Sequence, residues 1–274
     1  MVISVALGLP IPIGCNPIFR FYPMKIIHLT DIHIAKPEEH THNVDVRKQF
    51  VSAVFDALDR GGTHLIITGD LCFSHGDPII YEWIYEFLEE VSIPYRLIPG
   101  NHDDSKLLST QFSLLGFYDK EEKEVYWLEY WDGTPIFFLD SSQGDLSDKQ
   151  TNWLHDKLRN VEKSPLLFMH HPPIDLHVPY MDNLPPRPDT DRFFDTISVS
   201  PYRVHVFVGH YHVDKMAVYR NAIVYATPST YFQMGQKERC FEVDHHQPGY
   251  RTIVMQKQGL TTSTHYVSHI PLRV

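Results

Sequence analysis

At 274 residues, 43% hydrophobic and 21% charged, the chain has enough apolar material for one large α/β domain. Its formal net charge of -10 argues against a protein that grips nucleic acid by neutralising phosphates, which needs a basic face. That charge leaves a small phosphate substrate open, because bound cations reverse the field locally. Three sparse cysteines (Cys15, Cys72, Cys240) give neither a disulfide framework nor a CxxC clip and point to a reducing, cytoplasmic setting. No run is long and apolar enough to span a membrane.

Residues 1–23 begin with an apolar stretch but lack a basic segment and contain Pro10 and Pro12, so a secretory signal is not expected. They read as an N-terminal extension or an upstream start-codon choice, with the domain proper over 24–274. A strand is expected at 25–29, then a helix over 44–60 with Val46, Phe50, Val54 and Leu58 on one face, ended by Gly61-Gly62. Next come a strand at 65–68, a helix over 78–91, a strand at 95–98 and a helix over 105–115. Strands near 125–130 and 135–139, a helix over 147–159 and strands at 166–169 and 204–208 follow. Residues 172–188 are rich in proline and read as a long loop, a length that is often functional. From about 216 the tail reads as successive antiparallel strands. Strand-helix alternation followed by β-meanders predicts a four-layer α/β/β/α sandwich, two facing mixed sheets flanked by helices.

Five short motifs each follow an apolar strand: Asp31-Ile-His33, Gly69-Asp70, Gly100-Asn101-His102-Asp103, His170-His171 and Gly209-His210-Tyr-His212. Carboxyl ends of strands form the binding crevice in α/β sheets, so this placement brings the polar groups to one edge. Asp31 and His33, two apart on an extended backbone, are expected to share a face and grip one ion; His210 and His212 share that spacing and can reach different ions. A carboxylate such as Asp70 can bridge two metals. The donors are oxygen and imidazole nitrogen without thiolate, which favours Mn, Fe, Zn or Co. Asp103 can orient His102 or cap a helix. Each motif alone is common; all five, in order and at strand ends, are hard to obtain from packing needs.

In that order the motifs resemble the calcineurin-like metallophosphoesterase superfamily, and within it the class III cyclic nucleotide phosphodiesterase and glycerophosphodiesterase group, over roughly residues 24–235. Leu139-Asp140-Ser141 with Gln150, Trp153 and Leu154 is also similar to that group. The resemblance implies two metal ions: Asp31, His33 and His212 on the first, Asn101, His170 and His210 on the second, and Asp70 bridging. It places His102 beside the leaving-group oxygen, as the catalytic residue. The expected reaction is attack of a metal-bound hydroxide on a small phosphodiester, a 3′,5′-cyclic nucleotide such as cyclic AMP or a glycerophosphodiester. His171, His177, Tyr180 and Met181 are candidate substrate contacts. His28, His64, His75 and His205 are not expected to be ligands.

Other readings are weaker. The GDxxDRG run of protein phosphatases is absent, since Gly69-Asp70 continues as Leu-Cys-Phe-Ser. A broad monoesterase and diesterase is the alternative. A catalytically inactive scaffold of the same fold would have lost ligand histidines, and all are present. The C-terminal strands are expected to offer a homodimer contact, as in relatives of this group.

Overall fold

The computed structural model describes residues 24–184, 187–256 and 259–268; the expected extension 1–23 lies outside them. β1 (Lys25–Leu29) is buried from Ile26 onward. It leads to α1 (Val46–Asp59), which starts where the Asp45 side chain accepts from the Lys48 N–H. β2 (His64–Thr68) is followed by α2 (Pro78–Val91), opened by Asp77 as cap with Pro78 behind it and closed by Ser92 in the left-handed conformation. β3 (Tyr95–Ile98) precedes α3 (Ser105–Gln111), which is shorter than the expected 105–115. Its path is broken because Ser113 takes φ 58 and the Leu114 N–H returns to the Ser109 carbonyl.

A small hairpin, β4 (Tyr118–Asp119) with β5 (Glu124–Val125), comes next. Then follow β6 (Trp127–Trp131), β7 (Thr134–Phe138), α4 (Asp148–Leu158) and β8 (Leu166–Phe168). Sequence reasoning missed α5 (Thr190–Ile197), whose signal is the Asp189 cap ahead of buried Phe193, Phe194 and Ile197. The chain finishes with β9 (Val204–Val208), β10 (Lys215–Tyr219), β11 (Ala222–Ala226), β12 (Gln233–Met234), β13 (Val243–His245), β14 (Gly249–Gln256) and β15 (Gly259–Tyr266).

Two sheets result, ordered β15-β14-β1-β2-β3 and β10-β11-β9-β8-β7-β6. β1, β2 and β3 are parallel, as are β7, β8, β9 and β11; antiparallel strands lie only at the flanks. The tail is therefore not one antiparallel series. β11 inserts parallel to β9, which its nearly continuous buried run AIVYA favours. The β14–β15 hairpin joins the other sheet beside β1.

Three apolar clusters separate four layers. One lies between the first sheet and α1, α2 and α3; a second lies between the other sheet and α4 and α5. The third fills the space between the sheets, with Ile26, Ile66, Ile98 and Ile253 facing Ile136, Phe138, Leu166, Phe168 and Phe207. Across it runs a column of stacked rings, Trp127, Phe138, Phe168, Phe207 and Tyr225, with centroids 4.4, 5.9, 5.1 and 4.8 Å apart. The α/β/β/α sandwich expected from the sequence is the observed architecture. Phe168 is fully buried mid-column, so Phe168→Ala should cost about 3–5 kcal/mol in denaturant unfolding; a loss below about 1 kcal/mol would show that the sheets do not depend on this column.

Candidate metal centre

The carboxyl ends of β1, β2, β3, β8 and β9 converge, and each motif lies in the turn just beyond its strand. The backbone there is not extended. Asp31, His33, Asp70, His210 and His212 take φ of 52, 45, 49, 66 and 50, all left-handed. The expectation that Asp31-x-His33 and His210-x-His212 share a face of extended chain is thus corrected. Hydrogen bonds hold these turns: the Asp31 and His33 N–H groups donate to the Gly69 and Asp70 carbonyls at 3.0 and 2.9 Å. Across the two sheets, the His210 N–H donates to Asp31 Oδ2 at 2.9 Å, and within the second sheet the Gly209 N–H donates to the His170 carbonyl at 3.0 Å. Such conformations cost about 1–3 kcal/mol each and persist where neighbours over-determine them.

The side chains then meet. His33 Nε2 lies 3.2 Å from His212 Nε2, and His212 Nε2 lies 3.3 Å from Asp31 Oδ1. On the other side, His170 Nε2 lies 3.4 Å from Asp70 Oδ2 and 3.1 Å from Asn101 Oδ1. Asp70 Oδ2 stands between the two groups, 3.8 Å from His33 Nε2. The His210 ring is 5.1 Å from that of His170. Three donor sets have their ligand atoms within 4.8 Å of one another: Asp31, His33 and His212; Asp31, Asp70 and His170; and His170, His171 and His210. All seven expected ligands are therefore in one place, and His171 joins them.

The tautomers show what the cluster needs. His212 Nδ1 sits 3.0 Å from the Phe232 carbonyl and His170 Nδ1 2.8 Å from the Thr68 carbonyl. A carbonyl only accepts, so each ring donates there and turns its Nε2 inward. Those nitrogens face carboxylate and amide oxygens, an arrangement that a metal ion between them, or a proton on the ring, makes favourable. His33 Nδ1 and His171 Nε2 are buried without a hydrogen-bond partner among the described residues. The donor set fits a pair of borderline metal ions.

Electrostatics agree. Burial would raise Asp31, but the neighbouring His212 and His170 outweigh it and hold its carboxyl at about 2. Asp70 is likewise carried well below the usual carboxylate range, against its own burial, by His170, His33 and His102. Burial pushes His33 down to about 3, and burial with the adjacent His170 does the same to His171. Neutral imidazoles and ionised carboxylates are the protonation states that ligation requires. His170 is the exception: burial would lower it, but the Asp70 and Asp31 carboxylates outweigh that and raise it to about 9, so without an ion this imidazole holds the proton that a metal would replace.

Asp103 has a different job from those weighed in the sequence. Asp103 neither orients His102 nor caps α3, which Asp104 does. Its carboxylate instead accepts from the Gly100, Leu71 and Cys72 N–H groups and from the Tyr81 hydroxyl, at 2.9 to 3.2 Å. It thereby staples the loop bearing Asp70 to the loop bearing Asn101 and His102. Burial and the charge of Asp70 push it up to about 6. His102 is oriented by the Phe73 carbonyl, 2.6 Å from its Nδ1, while its Nε2 lies 3.8 Å from Asp70 Oδ2. The Asp140 stretch is a structural joint: Gln150 ties the start of α4 to the Asp140 backbone and to Glu124.

A cavity of about 630 Å³ opens over the cluster, and Met181 and His171 line it as expected. His177 does not line it; that residue is exposed, and its carbonyl receives the Lys215 ammonium at 2.7 Å. Asp182 accepts from the Leu176 and Val178 N–H groups, folding the loop so that Met181 faces inward. Sequence reasoning missed Phe73, His75, Tyr231, Phe232 and Phe241 in the wall; the aromatic pair Tyr231-Phe232 directly before β12 was the available signal. His28, set aside as a ligand, is buried between the sheets with Thr68 and Thr227.

The profile of the calcineurin-like phosphoesterases matches residues 24–214. A protein of Fibrobacter succinogenes named "Probable cyclic nucleotide phosphodiesterase" is 30% identical over 249 residues, covering 90% of this chain and 95% of its own. A "Probable glycerophosphodiester phosphodiesterase" of Arcobacter nitrofigilis is 26% identical over 260 residues, covering 89% and 93%. A solved dimetal phosphatase of Danio rerio shares the fold, with a TM-score of 0.64 at 12% identity over 88% of this chain and 98% of its own.

Gly209 allows the β9 turn to pass against Asp31: a Cβ there would collide with Thr30 Oγ1 and lie 2.6 Å from Asp31 Oδ2. Gly209→Ala should therefore lower bound metal measured by elemental analysis and cost about 1–3 kcal/mol in unfolding. Full metal content with unchanged stability would show that this approach is not needed.

Proposed function

We propose a reaction from one premise: this chain belongs to the calcineurin-like phosphoesterase family. It hydrolyses a small phosphodiester, a 3′,5′-cyclic nucleotide such as cyclic AMP or a glycerophosphodiester, at a dinuclear centre. The observation that carries this is the place of Asp70, whose Oδ2 faces His33 on one side and His170 on the other. Asp31, His33 and His212 would hold one ion, Asn101, His170 and His210 the second, with Asp70 shared and Mn, Fe, Zn or Co as the candidates. Two such ions would clamp the phosphate oxygens, acidify a water and offset the charge of an in-line displacement.

The remaining work falls to the protein. His102 donates its Nδ1–H to the Phe73 carbonyl, so its Nε2 is the nitrogen presented to the cavity. There, 3.8 Å from the Asp70 carboxylate, it can carry a proton to the departing alkoxide. The names of the Fibrobacter and Arcobacter relatives support a diester over a monoester.

His102→Ala should keep two ions per chain and lose turnover of cyclic AMP and glycerophosphoethanolamine by about 10²–10⁴-fold. Elemental analysis beside steady-state kinetics checks both. Near-full turnover in the variant, or wild-type protein that prefers p-nitrophenyl phosphate over both diesters, would overturn the proposal.

A further inference from the structure

Four separate segments bring aromatic rings to one wall of the cavity. His42 comes from the β1–α1 connection, Tyr180 from the segment before the 3-10 turn Met181–Asn183, and Phe232 and Phe241 from either side of β12. Phe241 is the hub: its ring centroid lies 5.7 Å from Phe232, 5.9 Å from Tyr180 and 6.3 Å from His42. The wall adjoins the donor cluster directly, since Phe232 packs 4.7 Å from the His212 ring.

Phe241 stays 46% exposed despite these neighbours, which is costly for an apolar ring unless something covers it. Its partner His42 is held in place by strained backbone, with His42 and Asn43 in succession at φ 50 and 62. Among the described residues lining the cavity, Asp70 is the only acidic one and there is no lysine or arginine. A charged headgroup, such as an ammonium or a carboxylate, therefore finds no counter-ion beyond the metal centre. A flat, uncharged ring finds faces to stack on.

We propose that Phe241, with Tyr180, Phe232 and His42, is a shelf that binds the planar base of the substrate, so that the preferred diester carries an aromatic base rather than a glycerol headgroup. This rests on the phosphodiesterase reading above and selects between its two substrate classes. Phe241 acts as a specificity determinant: it takes the base while the donor cluster takes the phosphate.

The test compares full-length wild type, Phe241→Ala and Phe241→Trp, each loaded with Mn, in two assays. Calorimetry with adenosine 5′-monophosphate and with inorganic phosphate reads binding without turnover. Phe241→Ala should weaken the nucleotide by roughly tenfold or more and leave phosphate unchanged, and Phe241→Trp should restore the nucleotide. In kinetics, Phe241→Ala should raise KM for cyclic AMP with kcat kept, and leave glycerophosphocholine untouched. Nucleotide binding that is insensitive to Phe241→Ala, or an equal loss for nucleotide and phosphate, would overturn the shelf. A loss confined to glycerophosphocholine would overturn it too, making the rings an ammonium cage. Wild-type protein that hydrolyses neither diester would sink the proposed reaction, while the two calorimetric titrations would still decide the shelf.

Discussion

Two buried carboxylates without an ammonium or guanidinium partner set the terms for everything around them. Asp31 and Asp70 are nearly inaccessible to solvent, and among the described residues their ion-pairing partners are all histidines. An ionised carboxylate taken out of water is unfavourable by several kcal/mol unless it is paired or bound to a cation. Nature's usual remedy, an arginine fork, is missing. The compensating charge has to come from imidazoles or from ions, and imidazoles whose outward nitrogens are already committed to backbone carbonyls have lone pairs left to offer.

The fold is organised to hold that cluster. Parallel strands in each sheet deliver their carboxyl ends to a common edge, and the apolar cluster between the sheets, where Ile26, Ile66, Ile98 and Ile253 of one meet the ring column of the other, holds those two edges together. Five left-handed residues then turn side chains inward that ordinary strand geometry would splay apart. Backbone hydrogen bonds from one loop to the next, together with the Asp103 carboxylate, bind the loops into one body. Strain at these positions is sustained by packing elsewhere.

Much of this was legible in the sequence because its signals are local. Apolar runs at 25–29, 65–68 and 204–208 mark buried parallel strands, and Thr30, Gly69 and Gly209, each ahead of an Asp or His, mark their ends. Asp31, His33, Asp70, Asn101, His170, His210 and His212 could be named from that grammar and from family resemblance together. What stayed hidden depends on distant contacts. Left-handed turns at Asp31 and His210 follow from hydrogen bonds to other loops and leave no mark in a dipeptide. Asp103 gave no sign that it would face amides 30 residues upstream. The aromatic wall draws His42 and Phe241 from segments with no periodicity, and His177 was misplaced because a proline-rich loop does not announce which residue its Asp182 turns inward.

The most direct test of the account is anomalous diffraction from crystals of the protein loaded with manganese. The account predicts two manganese peaks per chain, with Asp70 contacting both, Asp31, His33 and His212 around one, and Asn101, His170 and His210 around the other. A single peak, or two peaks of which Asp70 touches only one, would contradict it.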